Sequence, residues 1–241
     1  MHDSLPVQAV LAPEFVRQAW PSLLEQALGL FLGRSKTISS VVVCGCGDSH
    51  FAALGAEFGL KLWTARHVRA ASSMLAGRYL LDGVDSSCLV VGVSSSGEVA
   101  RTAEALEQGR HAGAQTLALT CAPASTLANV AGAAIVAELP EHPFGPGLIS
   151  YLASLLGLFA IGASLADEGT RRRLTALVAS LPTWMTSSVG EQAEQGTAFA
   201  GRVADARQGV FLGSGPGFAA ASFAAAKVIE ACGLDYHAQD T

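Results

Sequence analysis

The run Ser94-Ser95-Ser96-Gly97-Glu98 follows the apolar stretch Cys88-Leu89-Val90-Val91-Gly92-Val93 and precedes a helical pattern from Val99 to Ala112. Three hydroxyls, a glycine that permits close backbone approach and the unpartnered N–H groups that open a helix together make an anion site, and a phosphate fits it well. The plainer reading makes Ser96 an N-cap and Ser94 and Ser95 loop. Three serines in succession after a buried strand favour the anion site. A second group is Lys227-Val228-Ile229-Glu230, where a three-residue spacing puts cation and carboxylate on one helix face. The plain reading there is an exposed ion pair. The surrounding run, Ala219 to Ala231, is otherwise Ala-rich and apolar, where isolated charges are rare. Cys44-x-Cys46 has no second ligand pair at zinc spacing, so neither a metal nor a cofactor is expected.

Strands that end at these residues must hold them. Ile38–Cys44 reads as a buried strand, Gly45-Cys46-Gly47-Asp48-Ser49 as a turn, and His50–Thr64 as a helix. A short strand at His67–Ala70, a helix near Ser73–Leu80, a strand at Cys88–Val93 and a helix at Gly97–Ala112 follow. Gln115–Thr120 and Ala133–Ala137 read as strands on either side of a short helix at Leu127–Ala131. The expected fold class is therefore α/β, a parallel sheet sandwiched by helices in a flavodoxin-like three-layer arrangement. Ligands of such sheets sit outside the carboxyl ends of the strands, where both candidate loops fall.

Leu5 to Leu32 reads as helical, broken at Pro13 and Pro21. The 20 residues from Gly147 to Ala166 carry no charge, the length of a membrane span. The alternative, a helix buried on all sides in the domain or at a dimer interface, is preferred. The helical stretch from Asp167 to Gly201 leads to Val210-Phe211-Leu212-Gly213-Ser214-Gly215 and an Ala-rich helix, Phe218–Ala231. Gly213 repeats Gly45 at an offset of 168 residues, apolar run, Gly-x-Gly and helix included. The expected organisation is a helical segment at 1–34, a first domain at 35–166, a helical linker at 167–205, and the first βα unit of a second such domain at 206–241. That second copy is expected to be truncated at Thr241, after one strand and one helix.

The chain has 241 residues, half of them hydrophobic and 15% charged, with a net charge of −5. This is a globular composition whose sign argues against nucleic acid as a partner. Five cysteines, odd in number and mostly in apolar runs, read as reduced thiols of a cytoplasmic protein. No signal peptide is evident.

Together, the Gly45–Ser49 turn, the Val93–Glu98 loop, their spacing and the repeated Gly turn resemble the sugar isomerase (SIS) domain family, over about residues 15 to 241. The likest members are the isomerase half of glucosamine-6-phosphate synthase and related phosphosugar isomerases and deaminases. The resemblance implies a phosphosugar site in which Ser94, Ser95, Ser96 and Gly97 hold the phosphate and Ser49 touches phosphate or sugar. Ser150 matches a position that contacts substrate in the family, and reads equally as a serine at a helix N-terminus. Lys227 and Glu230 match the family's Lys-x-x-Glu, whose Glu moves a proton between the first two carbons of the open sugar; Lys227 keeps that carboxylate ionised or binds the substrate oxygen. Partners implied are a sugar phosphate, such as fructose 6-phosphate or glucosamine 6-phosphate, and a second copy of the chain, with no nucleic acid and no membrane. Val99 stands where the family usually has Thr or Ser, and Asp48 adds a carboxylate beside the anion, which weakens phosphate binding or selects a hydroxyl or amine. The family's later histidine and C-terminal lysine have no match, and no glutaminase domain precedes the first strand. The expected function is an aldose–ketose isomerase or deaminase of (amino)sugar phosphates. A non-catalytic phosphosugar sensor is the alternative, favoured by Val99. A nicotinamide oxidoreductase is a third reading, weakened because Gly45-x-Gly47-x-x-His50 lacks the third glycine.

Overall fold

Apolar runs rich in Val, Leu and Ala form the central sheet of the computed structural model, which describes residues 4–241. The strands are β1 (Ser40–Gly45), β2 (His67–Ser72), β3 (Cys88–Val93), β4 (Gln115–Thr120) and β5 (Ala133–Val136), all parallel, in the order β2-β1-β3-β4-β5. A near-continuous apolar strand such as β3, buried at every position, is what a sheet covered on both faces requires.

One face is covered by α1 (Ser4–Phe31), α2 (Asp48–Thr64) and α6 (Ile149–Leu165), packed on Val41, Val43, Val91 and Leu117. The other is covered by α3 (Ser73–Leu75), the π-helical turn Ala76–Leu80, α4 (Ala100–His111) and α5 (Thr126–Val130), packed on Val42, Cys44, Val90 and Ala118. The expected α/β sandwich is the observed one.

Three local expectations are corrected. α1 runs unbroken through Pro13 and Pro21, because its buried stripe of Phe15, Val16, Trp20, Leu23 and Ala27 packs against α6 and α7 (Glu168–Arg202). That contact outweighs roughly 3 kcal/mol per interior proline. The loop after β3 does not run straight into a helix: α4 begins only at Ala100, with Val99 extended before it. The chain also does not end after one strand and one helix. β6 (Gln208–Gly213), α8 (Pro216–Cys232) and β7 (Asp235–Asp240) make a complete βαβ unit with β6 parallel to β7.

The apolar 147–166 segment becomes the 17-residue α6, buried nearly all round within this chain. Among the described residues no helix is long and apolar enough to cross a membrane. α7 is one continuous helix, capped by Asp167, whose carboxylate accepts the Thr170 N–H at 2.9 Å. Of the helical segment expected at 1–34, residues 1–3 lie outside the described residues.

Candidate functional site

After β1 the chain passes to β2 on one side and then to β3 on the other, so the sheet reverses direction between β1 and β3. Loops leaving two such strands diverge and open a crevice at their carboxyl ends. Gly45 and Val93 are register partners across this gap, which brings Cys46-Gly47-Asp48-Ser49 and Ser94-Ser95-Ser96-Gly97 side by side.

The serine loop is built by its own hydrogen bonds. Ser94 is buried, and its Oγ accepts the Gly97 N–H at 3.1 Å, while Ser96 Oγ accepts the Glu98 N–H at 3.2 Å. Each hydroxyl keeps its own proton to donate. Ser95 lies beside Cys121, whose thiol burial pushes up while the Ser95 hydroxyl pulls it back. Among the described residues the N–H groups of Ser95 and Ser96 have no partner, and these point to the loop's capacity for an anion. Gly97 has φ +67°, and a Cβ there would run into the Ser125 hydroxyl. Glu98 faces the other way. Its carboxylate accepts the Thr126 N–H at 3.0 Å and the Thr126 hydroxyl at 2.7 Å, bonds that hold it below the usual carboxylate range.

The turn after β1 aims α2 at the crevice. Gly47 takes φ +53° at the N-cap, and a Cβ on Gly45 would come within 2.8 Å of the Ser49 backbone. The second Gly turn repeats this geometry: Gly215 has φ +54° at the N-cap of α8. The repeat seen in the sequence is thus a repeat in backbone shape.

α8 lies along α2, with Ala219 against Gly55. This places Lys227 and Glu230, 179 and 182 positions beyond Asp48, at the first turn of α2. Lys227 Nζ donates to Asp48 Oδ2 and to Glu230 Oε2, both at 2.6 Å. The lysine side chain is 8% exposed, against 27% for Asp48 and 44% for Glu230. Its ammonium also lies 5.0 Å from the Phe223 ring centroid, and Phe223 stacks on Tyr151 at 3.9 Å. Burial pushes the Asp48 carboxyl up, Lys227 pulls it back, and the Glu230 charge adds to the rise. Burial together with the Asp48 charge pushes the Tyr151 phenol up to about 12. Burial holds the His50 imidazole below its ordinary value.

Ser150 opens α6 beside the same cluster: a Cβ on Gly147 would lie 2.5 Å from Ser150 Oγ and 3.8 Å from Asp48 Oδ2. Gln8 of α1 sets this corner, accepting the Leu148 and Ile149 N–H groups at 2.8 and 3.1 Å and donating to the Pro146 carbonyl. Ser49, Ser150, Lys227 and Glu230 thus share one end of the molecule with the serine loop. Sequence reasoning placed Asp48 near the anion but not on Lys227, and it missed Tyr151, Phe223 and Gln8. Among the described residues no group of three His, Cys, Asp or Glu side chains is placed to hold a metal ion.

A parallel 2-1-3-4-5 sheet with a hydroxyl-rich loop at its reversal point defines a three-layer α/β protein of the flavodoxin-like kind. The SIS domain model matches residues 36–165, more than half of the chain, and the protein belongs to the SIS domain family. The glutamine–fructose-6-phosphate aminotransferase (isomerizing) of Streptomyces coelicolor is 28% identical over 142 residues, 58% of this chain and 23% of that protein. The chain thus spans under a quarter of the length of that curated relative. Among solved structures, the C-terminal domain of the glucosamine-fructose-6-phosphate aminotransferase of Francisella tularensis superposes with a TM-score of 0.80 at 18% identity, covering 98% of this chain and 69% of that one. The glucosamine-6-phosphate deaminase of Thermotoga maritima gives 0.62 at 17% identity, over 97% and 70% of the two chains. These likenesses show a shared fold.

Proposed function

We propose that this protein binds a sugar 6-phosphate at the crevice between β1 and β3 and interconverts the aldose and ketose forms, or deaminates an amino-sugar phosphate, where the same proton transfer gives a C2 imine that water hydrolyses to the ketose and ammonia. One observation carries the reading: a buried cation, Lys227, is flanked by two carboxylates at the turn after β1, and β1 is in register with the strand that leads into the serine loop. Aldose–ketose exchange needs a donor set for the phosphate, a base for one C–H proton, and a positive charge beside the developing oxyanion. Ser94, Ser95, Ser96, the Gly97 turn and Ser49 supply the first, Glu230 the second and Lys227 the third, with Ser150 at the sugar.

In the isomerisation, Glu230 takes a proton from C1 of the open-chain ketose. The C–H electron pair becomes the C1–C2 double bond, and the carbonyl oxygen at C2 gains charge beside Lys227. Return of the proton to C2, with transfer of the C1 hydroxyl proton to the C2 oxygen, gives the aldose. The curated relative, a fructose-6-phosphate aminotransferase, supports the substrate class.

The test is solvent exchange. In D2O the C1 hydrogen of fructose 6-phosphate is expected to wash out with the wild-type chain. Glu230→Gln is expected to slow this by about 100-fold or more with the sugar-phosphate Kd unchanged. Equal exchange in both proteins would remove Glu230 from the role.

A non-catalytic sensor is the second reading, and Val99 favours it by removing one hydroxyl from the phosphate loop. Binding of fructose 6-phosphate without exchange would support it. A homodimer and a cytoplasmic location belong to the same proposal. Five unpaired cysteines support the location. The dimer no longer follows from the apolar helix, since α6 is covered by α1 and α2 of its own chain. It rests on the resemblance to the family, and sedimentation of the purified chain tests it.

A further inference from the structure

Lys227 is one ammonium with two carboxylates on it, and the second, Asp48, is not needed to keep the first ionised. Both acceptor oxygens lie 2.6 Å from Nζ, so they are no farther apart than twice that distance. The two carboxylates arrive from different elements, Asp48 from the first turn of α2 and Glu230 from α8. α6 contributes the Tyr151 phenol facing Asp48, held neutral by its high proton affinity. β6 and β7, also packed on α8, offer no ion-pair partner to Lys227 or Glu230 among the described residues. Lys227, Asp48, Glu230 and Tyr151 are the charged and titratable groups of this cluster, with His50 on the same turn of α2 as Asp48.

We propose that Asp48 is a positioning residue that divides the Lys227 ammonium between two carboxylates and so keeps Glu230 free to accept a proton. The inference rests on the reading of Glu230 as the base. Two physical effects act in the same direction. When Glu230 takes the substrate proton it becomes neutral and gives up its half of the ion pair. With Asp48 present, Lys227 keeps a counter-ion; without it, protonation strands a cation whose side chain is only 8% exposed. The Asp48 charge also repels that of Glu230 directly across the shared ammonium. At Asp48 itself burial pushes the carboxyl up, Lys227 pulls it back, and the Glu230 charge adds the smallest part of the rise. Removing the Asp48 charge leaves Lys227 to Glu230 alone, which tightens that ion pair and makes Glu230 the weaker acceptor of a substrate proton.

The experiment is the pH profile of kcat/KM for exchange of the C1 hydrogen of fructose 6-phosphate in D2O, for wild type, Asp48→Asn and Asp48→Glu. Asp48→Asn keeps an acceptor for Lys227 without the charge. It is expected to move the acidic limb down by about one pH unit and to slow exchange at neutral pH by about tenfold. Asp48→Glu restores the charge and is expected to hold the acidic limb at its wild-type position. Asp48→Ser supplies a second neutral side chain should the Asn variant not fold. An acidic limb that stays in place in the neutral variants overturns the proposal. If wild type shows no exchange, the base assignment fails separately, and the carboxyl carbon of Glu230 is titrated by NMR, assigned against Glu230→Gln. A Glu230 midpoint about one unit lower in Asp48→Asn supports the charge division; an unchanged midpoint overturns it.

Discussion

At Gly97 the chain turns through φ +67° and its α-carbon faces the Ser125 hydroxyl with no room for a side chain. The turn is what stacks the Ser94 oxygen on the Gly97 N–H and leaves the Ser95 and Ser96 N–H groups open. Gly97→Ala imposes left-handed strain of about 1–3 kcal/mol, and a collision in addition. The expected outcome is a lower Tm together with lost affinity for fructose 6-phosphate; an alanine variant that binds as wild type would separate the loop from the phosphate. This residue was legible because a glycine after three serines has a clear local use. Asp48 was only half legible. Its carboxylate was visible beside the anion, but its partner lies 179 positions away on α8, and no local spacing encodes a contact made by two helices packing. Tyr151 and Phe223 were missed for the same reason: each reads as an ordinary apolar residue of its own helix, and their stacking exists only once α6 and α8 meet.

Between elements, the corner that presents Ser150 is set by a single buried side chain. Gln8 closes the N-terminus of α6 from α1, accepting from Leu148 and Ile149 and donating to Ser4 and Pro146. Gln8→Ala leaves those groups without partners in a dry place and is expected to cost about 1–3 kcal/mol. A thermal melt checks this, and an unchanged Tm would show that water replaces the glutamine. α6 itself was readable, since a long uncharged run that is not a membrane span must be enclosed. Its cover was not: α1 looked interrupted by two prolines, and only the packing of Phe15, Trp20 and Leu23 makes it one helix. β7 was unreadable as a strand because Asp235–Asp240 is polar and mostly exposed, and its pairing with β6, backbone ladder and Tyr236–Phe211 contact included, exists only in the folded chain. β6 and the turn after it were readable, because Gly213 and Gly215 repeat the requirements of Gly45 and Gly47.

For the molecule as a whole, the strand order determines where chemistry can take place. The reversal between β1 and β3 sets their carboxyl-end loops side by side, the two Gly turns open α2 and α8, and the contact of those helices brings Lys227 onto Asp48 at the first turn of α2. The parallel α/β class was plain from alternating apolar runs and helical patterns. The position of the reversal was not, because strand order depends on which side of β1 each crossover falls. The account stands on the claim that this crevice takes a phosphorylated sugar. Calorimetric titration of the purified chain with fructose 6-phosphate, and with fructose as control, tests it most directly. The prediction is saturable heat with fructose 6-phosphate, none with fructose, and loss of the signal in Gly97→Ala. Equal heats from the two sugars, or none from either, would contradict it.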